Sequence, residues 1–378
     1  MVRRLILVLL LSGIAQFCVA AQPAAPKNVD LTAADGTKLK ATYYAAGKPG
    51  PGVLLMHQCN RDRTMWNGFA PKLAAAGFNV LTLDFRGFGE SGGVPNDKAT
   101  PQQAGEQFRK FGGDVDVAYD YLVSQPGVKR DAIGAGGASC GVNESIQLAR
   151  RHPEVKSLVL LSGPSNLQGR QFLKQSNIPV LGAGAENDEF KGSLEETEWL
   201  TGLSSNTGNQ FVHYKDGGHG IEMFKPHPEL ADIILNWYTT TLIKTPGKAP
   251  VDKKYAVRRD SVLAVIDSPG GAAKLEQQLK SNPGSVNVPE NAANLMGYEH
   301  SQAGDHEGAV GIFKLIVAAY PESPNAYDSL ADGYVAAGQK DLAKQNAQKA
   351  IELLASDKAD TEDRKKLIRE SAEQKLKD

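Results

Sequence analysis

Hydrophobic and polar positions change period repeatedly along the first two thirds of the chain. Residues 28–45 alternate with a period of two around the turn dipeptide Asp35-Gly36, which predicts an antiparallel hairpin. Apolar runs at 53–56, 79–85, 132–139, 157–162 and 179–184 predict buried strands, and 210–214 a further one. Between them, 65–76, 102–123 and 143–151 carry helical spacing, and 228–242 reads as a closing helix. Strands alternating with helices build βαβ units. The expected architecture is therefore α/β, with a mostly parallel sheet, antiparallel strands at its leading edge and a site at the strand C-terminal ends. The interval 162–179 is too short for a large lid.

Past residue 243 the strand pattern stops. Residues 244–254, KTPGKAPVDKK, read as a linker. Farther on the pattern is helical only and repeats at an offset of 34. Met296 aligns with Leu330, Gly304 with Gly338, Ala309 with Ala343, Phe313 with Ala347 and Ile316 with Ala350. Gly297 and Ala331 take the small position where paired helices approach. This unit resembles the tetratricopeptide repeat. Two units cover 289–357, a charged helix at 360–376 is suited to capping them, and helices around 255–280 are expected to complete the packing.

At the other end, Arg3 and Arg4 precede an apolar stretch, 5–14, and the small residues Val19-Ala20-Ala21. This predicts a signal peptide cleaved near Ala20/Ala21 and a periplasmic or secreted protein. The expected divisions are then 1–21 signal peptide, 22–243 α/β domain, 244–288 linker and connecting helices, and 289–378 helical repeats. The chain carries 42 basic and 43 acidic residues, and losing Arg3 and Arg4 leaves 40 against 43, a net charge of −3. Without a basic surplus, nucleic acid is not an expected partner. The mature chain has no second apolar stretch long enough to span a bilayer. It keeps Cys59 and Cys140, in an export route where disulfides form.

The strand expected at 132–139 runs into Gly137-Ala138-Ser139-Cys140-Gly141, a G-x-S-x-G elbow. A sharp strand-to-helix turn exposes the serine hydroxyl, and flanking glycines let crowded backbones pass. A serine attacks only when a base takes its proton, and the base needs an orienting carboxylate. In the order expected for this fold, Asp188 follows the strand at 179–184, with Glu186 as the reserve acid. His219 follows the next strand within Gly217-Gly218-His219-Gly220. Asp216, only three residues from His219, would have to double back. An oxyanion hole needs two backbone N–H groups. Cys140 supplies one, and Gln58, or alternatively Cys59, the other.

Residues 28–243 resemble α/β-hydrolases of the dienelactone hydrolase-like group, through DGTKLKATYY, GVLLMHQ, LDFRGFGES, GASCG, GAEND and GGHG. The resemblance implies a Ser–His–Asp hydrolase acting on esters or other acyl compounds. Dienelactone hydrolases proper use a cysteine nucleophile, and here Cys140 is one residue out of that register, so dienelactone is not implied. Many relatives carry His-Gly and further glycine where this chain has His57-Gln58-Cys59. The two mature cysteines fall on the two loops expected to build the oxyanion hole, which suggests a Cys59–Cys140 disulfide fixing the donor spacing.

The reading is an exported serine esterase needing no metal or organic cofactor, with a small acyl substrate and a helical region open to a protein partner. The same triad also suits a serine peptidase or amidase. A different class of reading is a repeat-based binding scaffold with an inactive hydrolase domain.

Overall fold

The computed structural model describes residues 25–377; the leader expected at 1–21 lies outside the described residues. The apolar runs become strands β1 Lys27–Thr32, β2 Lys38–Tyr44, β3 Gly50–Met56, β4 Asn79–Leu83, β5 Val128–Ala138, β6 Val155–Leu161, β7 Val180–Ala185 and β8 Gln210–Tyr214. They form one sheet in the order β1-β2-β4-β3-β5-β6-β7-β8. β2 is antiparallel to both β1 and β4, and the pairings from β4 through β8 are parallel. A parallel sheet is covered on both faces, which is why β3 and β4 are buried at every position.

The covering helices are α1 Ala70–Ala75, α2 Pro101–Phe108, α3 Phe111–Ser124, α4 Cys140–Arg151, α5 Leu167–Gln175, α6 Ser193–Leu203 and α7 Glu229–Tyr238. On one face Val53, Leu55, Val159 and Leu181 meet α1 and α7 through Leu73, Ile234 and Trp237. On the other, Leu54, Met56, Ile133 and Leu158 meet Val115 and Leu122 of α3, Ile146 of α4, and Trp199 and Leu200 of α6. Two expected helices are broken. Pro71 fits only a first turn, so 65–76 splits into a 3₁₀ turn at Arg63–Trp66 and α1. The 102–123 stretch breaks before Phe111, whose ring stacks on Phe85 at 4.4 Å.

The remaining helices are α8 Val262–Ile266, α9 Gly271–Ser281, α10 Glu290–Gln302, α11 His306–Ala319, α12 Pro324–Ala336, α13 Lys340–Leu354 and α14 Glu362–Lys377. α10 and α12 begin 34 residues apart, as do α11 and α13. α14 closes the stack, and its buried Lys375 pairs with Asp328 at 2.9 Å and Asp332 at 2.7 Å. This helical region shares its core with the sheet. One apolar cluster runs from Leu158 through Trp199 and Leu200 to Leu263, Met296 and Phe313. The segment read as a linker is docked on the edge strand β8, where Gln210 Nε2 donates to the Pro250 carbonyl at 3.2 Å and Gln210 bridges Ala256. An edge strand needs such cover.

Candidate active site

β5 ends at Ala138 and α4 starts at Cys140, so the whole turn falls on Ser139, at φ 53° and ψ −120°. A left-handed φ on a residue with a Cβ is strained, and it persists only where surroundings over-determine it. Here they do. The Ser139 N–H is held by the Leu161 carbonyl at 2.9 Å, and its own carbonyl accepts from Val142 at 2.9 Å. The flanking glycines are obligatory: a Cβ on Gly137 would lie 2.1 Å from the Gly141 oxygen, and one on Gly141 2.6 Å from the Met56 oxygen.

Asp188 lies in the loop after β7, and both its oxygens accept from His219 Nδ1, at 2.8 and 3.0 Å. Accepting there fixes the ring proton on Nδ1 and leaves Nε2 as the basic nitrogen. His219 is 3% exposed, and its Nε2 is buried without a partner. No hydrogen bond joins it to Ser139 Oγ in this structure. The two loops are nonetheless neighbours. A Cβ on Gly220 would lie 3.1 Å from that of Ala138 and 2.4 Å from Gln58 Oε1. Asn187 Oδ1 accepts from the Gly218 N–H at 2.9 Å, and the Phe190 ring sits 4.5 Å from the His219 ring. The competing acids are engaged elsewhere: Glu186 with His213, and Asp216 with His227, both at 2.9 Å.

The loop after β3 is tied on three sides. His57 is buried, donates from Nδ1 to the Gln58 carbonyl at 2.8 Å and accepts the Phe85 N–H on Nε2 at 3.0 Å. Burial holds its pKa below the ordinary value, so it is a neutral brace. Cys59 is bonded to Cys140 with Cα atoms 5.9 Å apart, joining this loop to the elbow. The buried Gln58 side chain reaches the histidine loop: Oε1 accepts from the Ile221 N–H at 3.0 Å, and Nε2 donates to Asn60 at 2.8 Å and Glu222 at 3.3 Å. Gln58 and Cys140, read from sequence as the two N–H donors, are thus held together by one covalent bridge, which Cys140 forms and whose other end, Cys59, follows Gln58. The Cys140 N–H stands in the first turn of α4, where no carbonyl of the helix itself can accept it.

Sequence reading missed the Gln58 side-chain contacts, Asn187 and Phe190. Asn187 sits in the quoted GAEND string, but nothing in the sequence marks Phe190. Two hollows flank the site. One of about 810 Å³ runs from Asp188 and Phe190 to Val288, Pro289 and Tyr320; one of about 370 Å³ lies beside Cys59 and Cys140. Among the described residues, no group of three or more His, Cys, Asp or Glu side chains is arranged to hold a metal ion.

The family model described as "alpha/beta hydrolase fold" matches residues 51–175. The chain has the α/β-hydrolase fold. The thiohydrolase aneE of Aspergillus aculeatus is 30% identical over 113 residues, covering 30% of this chain and 33% of that protein. An uncharacterized Mycobacterium tuberculosis protein is 29% identical over 140 residues, covering 36% and 46% respectively. The chain thus matches a third to a half of the length of these curated relatives. Among solved structures, the Pyrococcus furiosus esterase Pf2001 is similar at 18% identity and TM-score 0.46, over 58% of this chain and 93% of that one. Acetyl xylan esterase 1 from Thermoanaerobacterium is similar at 17% identity and TM-score 0.48, over 59% and 85%.

Proposed function

We propose that this α/β-hydrolase-fold protein is a serine hydrolase that cleaves carboxylic esters, or related acyl compounds, through an acyl-enzyme. The carrying observation is the buried Asp188–His219 pair, with an unpartnered Nε2 on a loop packed against the strained Ser139 elbow. His219 Nε2 takes the Ser139 hydroxyl proton as Oγ attacks the acyl carbon. The carbonyl electrons move onto oxygen, which the Cys140 and Gln58 N–H groups and the N-terminus of α4 stabilise. His219 then returns the proton to the leaving alkoxide, and water, activated by the same base, releases the acid. Asp188 keeps the imidazole in the right tautomer and stabilises its cation.

The thiohydrolase relative supports an acyl-transfer reading, with a thioester as the variant substrate. The motifs LDFRGFGES, GASCG and GGHG support a kinship with the dienelactone hydrolase-like group, and the 34-residue register of α10–α13 supports a tetratricopeptide-like repeat. The leader pattern and the disulfide support a periplasmic or secreted location. The test is labelling of the purified protein with a fluorophosphonate probe, with the adduct mapped by mass spectrometry. Labelling at Ser139 that disappears in Ser139→Ala is expected; folded protein that does not label overturns the mechanism.

A further inference from the structure

The hollow of about 370 Å³ beside the disulfide is lined by both α/β and helical parts of the chain. Its lining includes Cys59 and Cys140, Phe108 and Phe111, the loop after β6, and Leu295 and Glu299 of α10. Its volume lies in the lower part of the range for small-molecule sites, ~300–1,000 Å³. If the Ser139 reading holds, the residue whose N–H would face the attacked carbonyl oxygen, Cys140, itself lines this hollow, which puts the hollow next to the acyl group.

We infer that this hollow is the acyl subsite, that it takes an uncharged apolar acyl group, and that Leu295 of the helical region sets how long a group it accepts. Three observations carry the inference. First, Phe108 and Leu295 are large apolar side chains left 44% and 39% exposed, and both line the hollow. An apolar acyl chain removes both from water, about 25 cal/mol for each Å² covered.

Second, the wall is fixed. Arg170 is fully buried and stacks 5.4 Å over Trp199. It pairs with Glu299 of α10 and donates from Nη1 to the Ser165 carbonyl at 2.6 Å. One guanidinium therefore holds both α10 and the loop after β6, two sides of the same hollow, in constant register.

Third, the polar groups disfavour an anion. Glu144 and Glu299 both line the hollow, and burial pushes both carboxyls up. Their ionised forms would repel a carboxylate tail, and Arg170, the cation paired with Glu299, is already committed to it. The helical region is on this view a part of the substrate-binding site.

The test uses the full mature chain and p-nitrophenyl esters from acetate to octanoate. Leu295→Trp fills the hollow, and the octanoate-to-acetate ratio of kcat/KM should fall at least tenfold, since single methylenes in apolar pockets are worth about 10- to 200-fold. Leu295→Ala lengthens the hollow, and the ratio should rise. Opposite movements separate a pocket effect from general damage, and thermal unfolding reports whether each variant is folded. A folded pair with the wild-type chain-length profile overturns the acyl subsite while leaving the serine mechanism standing. A wild-type protein that neither labels with fluorophosphonate nor turns over any ester overturns both.

Discussion

The Gln58 side chain bridges the loop after β3 to the histidine loop 163 residues away, so its removal should loosen the proposed base, His219, without touching the proposed nucleophile, Ser139. Gln58→Met keeps length and shape but strips the acceptor from the Ile221 N–H and the donors from Asn60 and Glu222. An unpaired buried donor costs about 1–3 kcal/mol. Ile221 is only half-buried, and Glu222 retains Arg61 at 2.5 Å, so the lower part of that range, about 1–2 kcal/mol, applies here. Spent on positioning His219, that energy corresponds to roughly a 5- to 30-fold fall in kcat. KM should stay within about twofold, because a loss confined to the chemical step lowers kcat and leaves binding alone. Steady-state kinetics on a p-nitrophenyl ester, alongside thermal unfolding, reads both quantities. Gln58→Glu restores an acceptor for Ile221 but sets a carboxylate against Glu222, so recovery should require the paired change Glu222→Gln. If Gln58→Met melts earlier yet keeps its kcat, or changes KM alone, the bridge is structural and the reasoning is wrong.

Two further outcomes follow from burial and connectivity. The Cys59–Cys140 bridge closes a separation of 81 residues, for which loop-closure entropy gives about 4–5 kcal/mol. Cys59→Ser/Cys140→Ser, or reductant added to the wild type, should therefore lower the unfolding midpoint markedly; unchanged melting under reductant would refute the bridge. Burial beside Glu299 pushes Glu196 up to about 8, outweighing the nearby Arg170. A carboxyl raised this way binds its proton more tightly in the folded state, so its contribution to stability is full below the ordinary carboxyl range and is lost as pH rises toward 8. Denaturant titrations from pH 5 to 8.5 should show that decline in the wild type and a flatter profile in Glu196→Gln; parallel profiles would count against it.

What the sequence disclosed tracks what is decided locally. The elbow was legible because crowding between Gly137 and Gly141 admits no side chain, so glycine and serine must stand at fixed spacing. Asp188 and His219 were legible as polar residues just beyond strand ends, and the 34-residue register was legible because equivalent positions are buried in both units, Met296 with Leu330, Gly297 with Ala331 and Ala309 with Ala343. α6 was not legible. It is covered by the sheet on one side and by the helical region on the other, and buries Glu196, Thr197, Glu198 and Thr201 along with Trp199 and Leu200. A helix buried on both sides, with only Glu195 left exposed, shows no clear 3.6-residue alternation. α5 was also missed, although Asn166 caps it by accepting from Gly169 at 3.0 Å. The Gln58 bridge depends on contacts that exist only after the chain has folded, so no local pattern announces it.

The buried Arg170 makes the two halves of the molecule poor candidates for separation. A fragment ending near residue 243 would keep the cation and lose Glu299, leaving a charge in a site shaped for a pair. It would also uncover Trp199 and Leu200, which share a core with Leu263 and Met296. A buried ion whose partner is removed typically costs about 3–5 kcal/mol, a large fraction of a domain's total stability. The boundary at which the secondary-structure pattern changes is thus not a boundary of cooperative unfolding, and grafting the helical region onto another α/β-hydrolase fold would have to carry α5 and α6 with it.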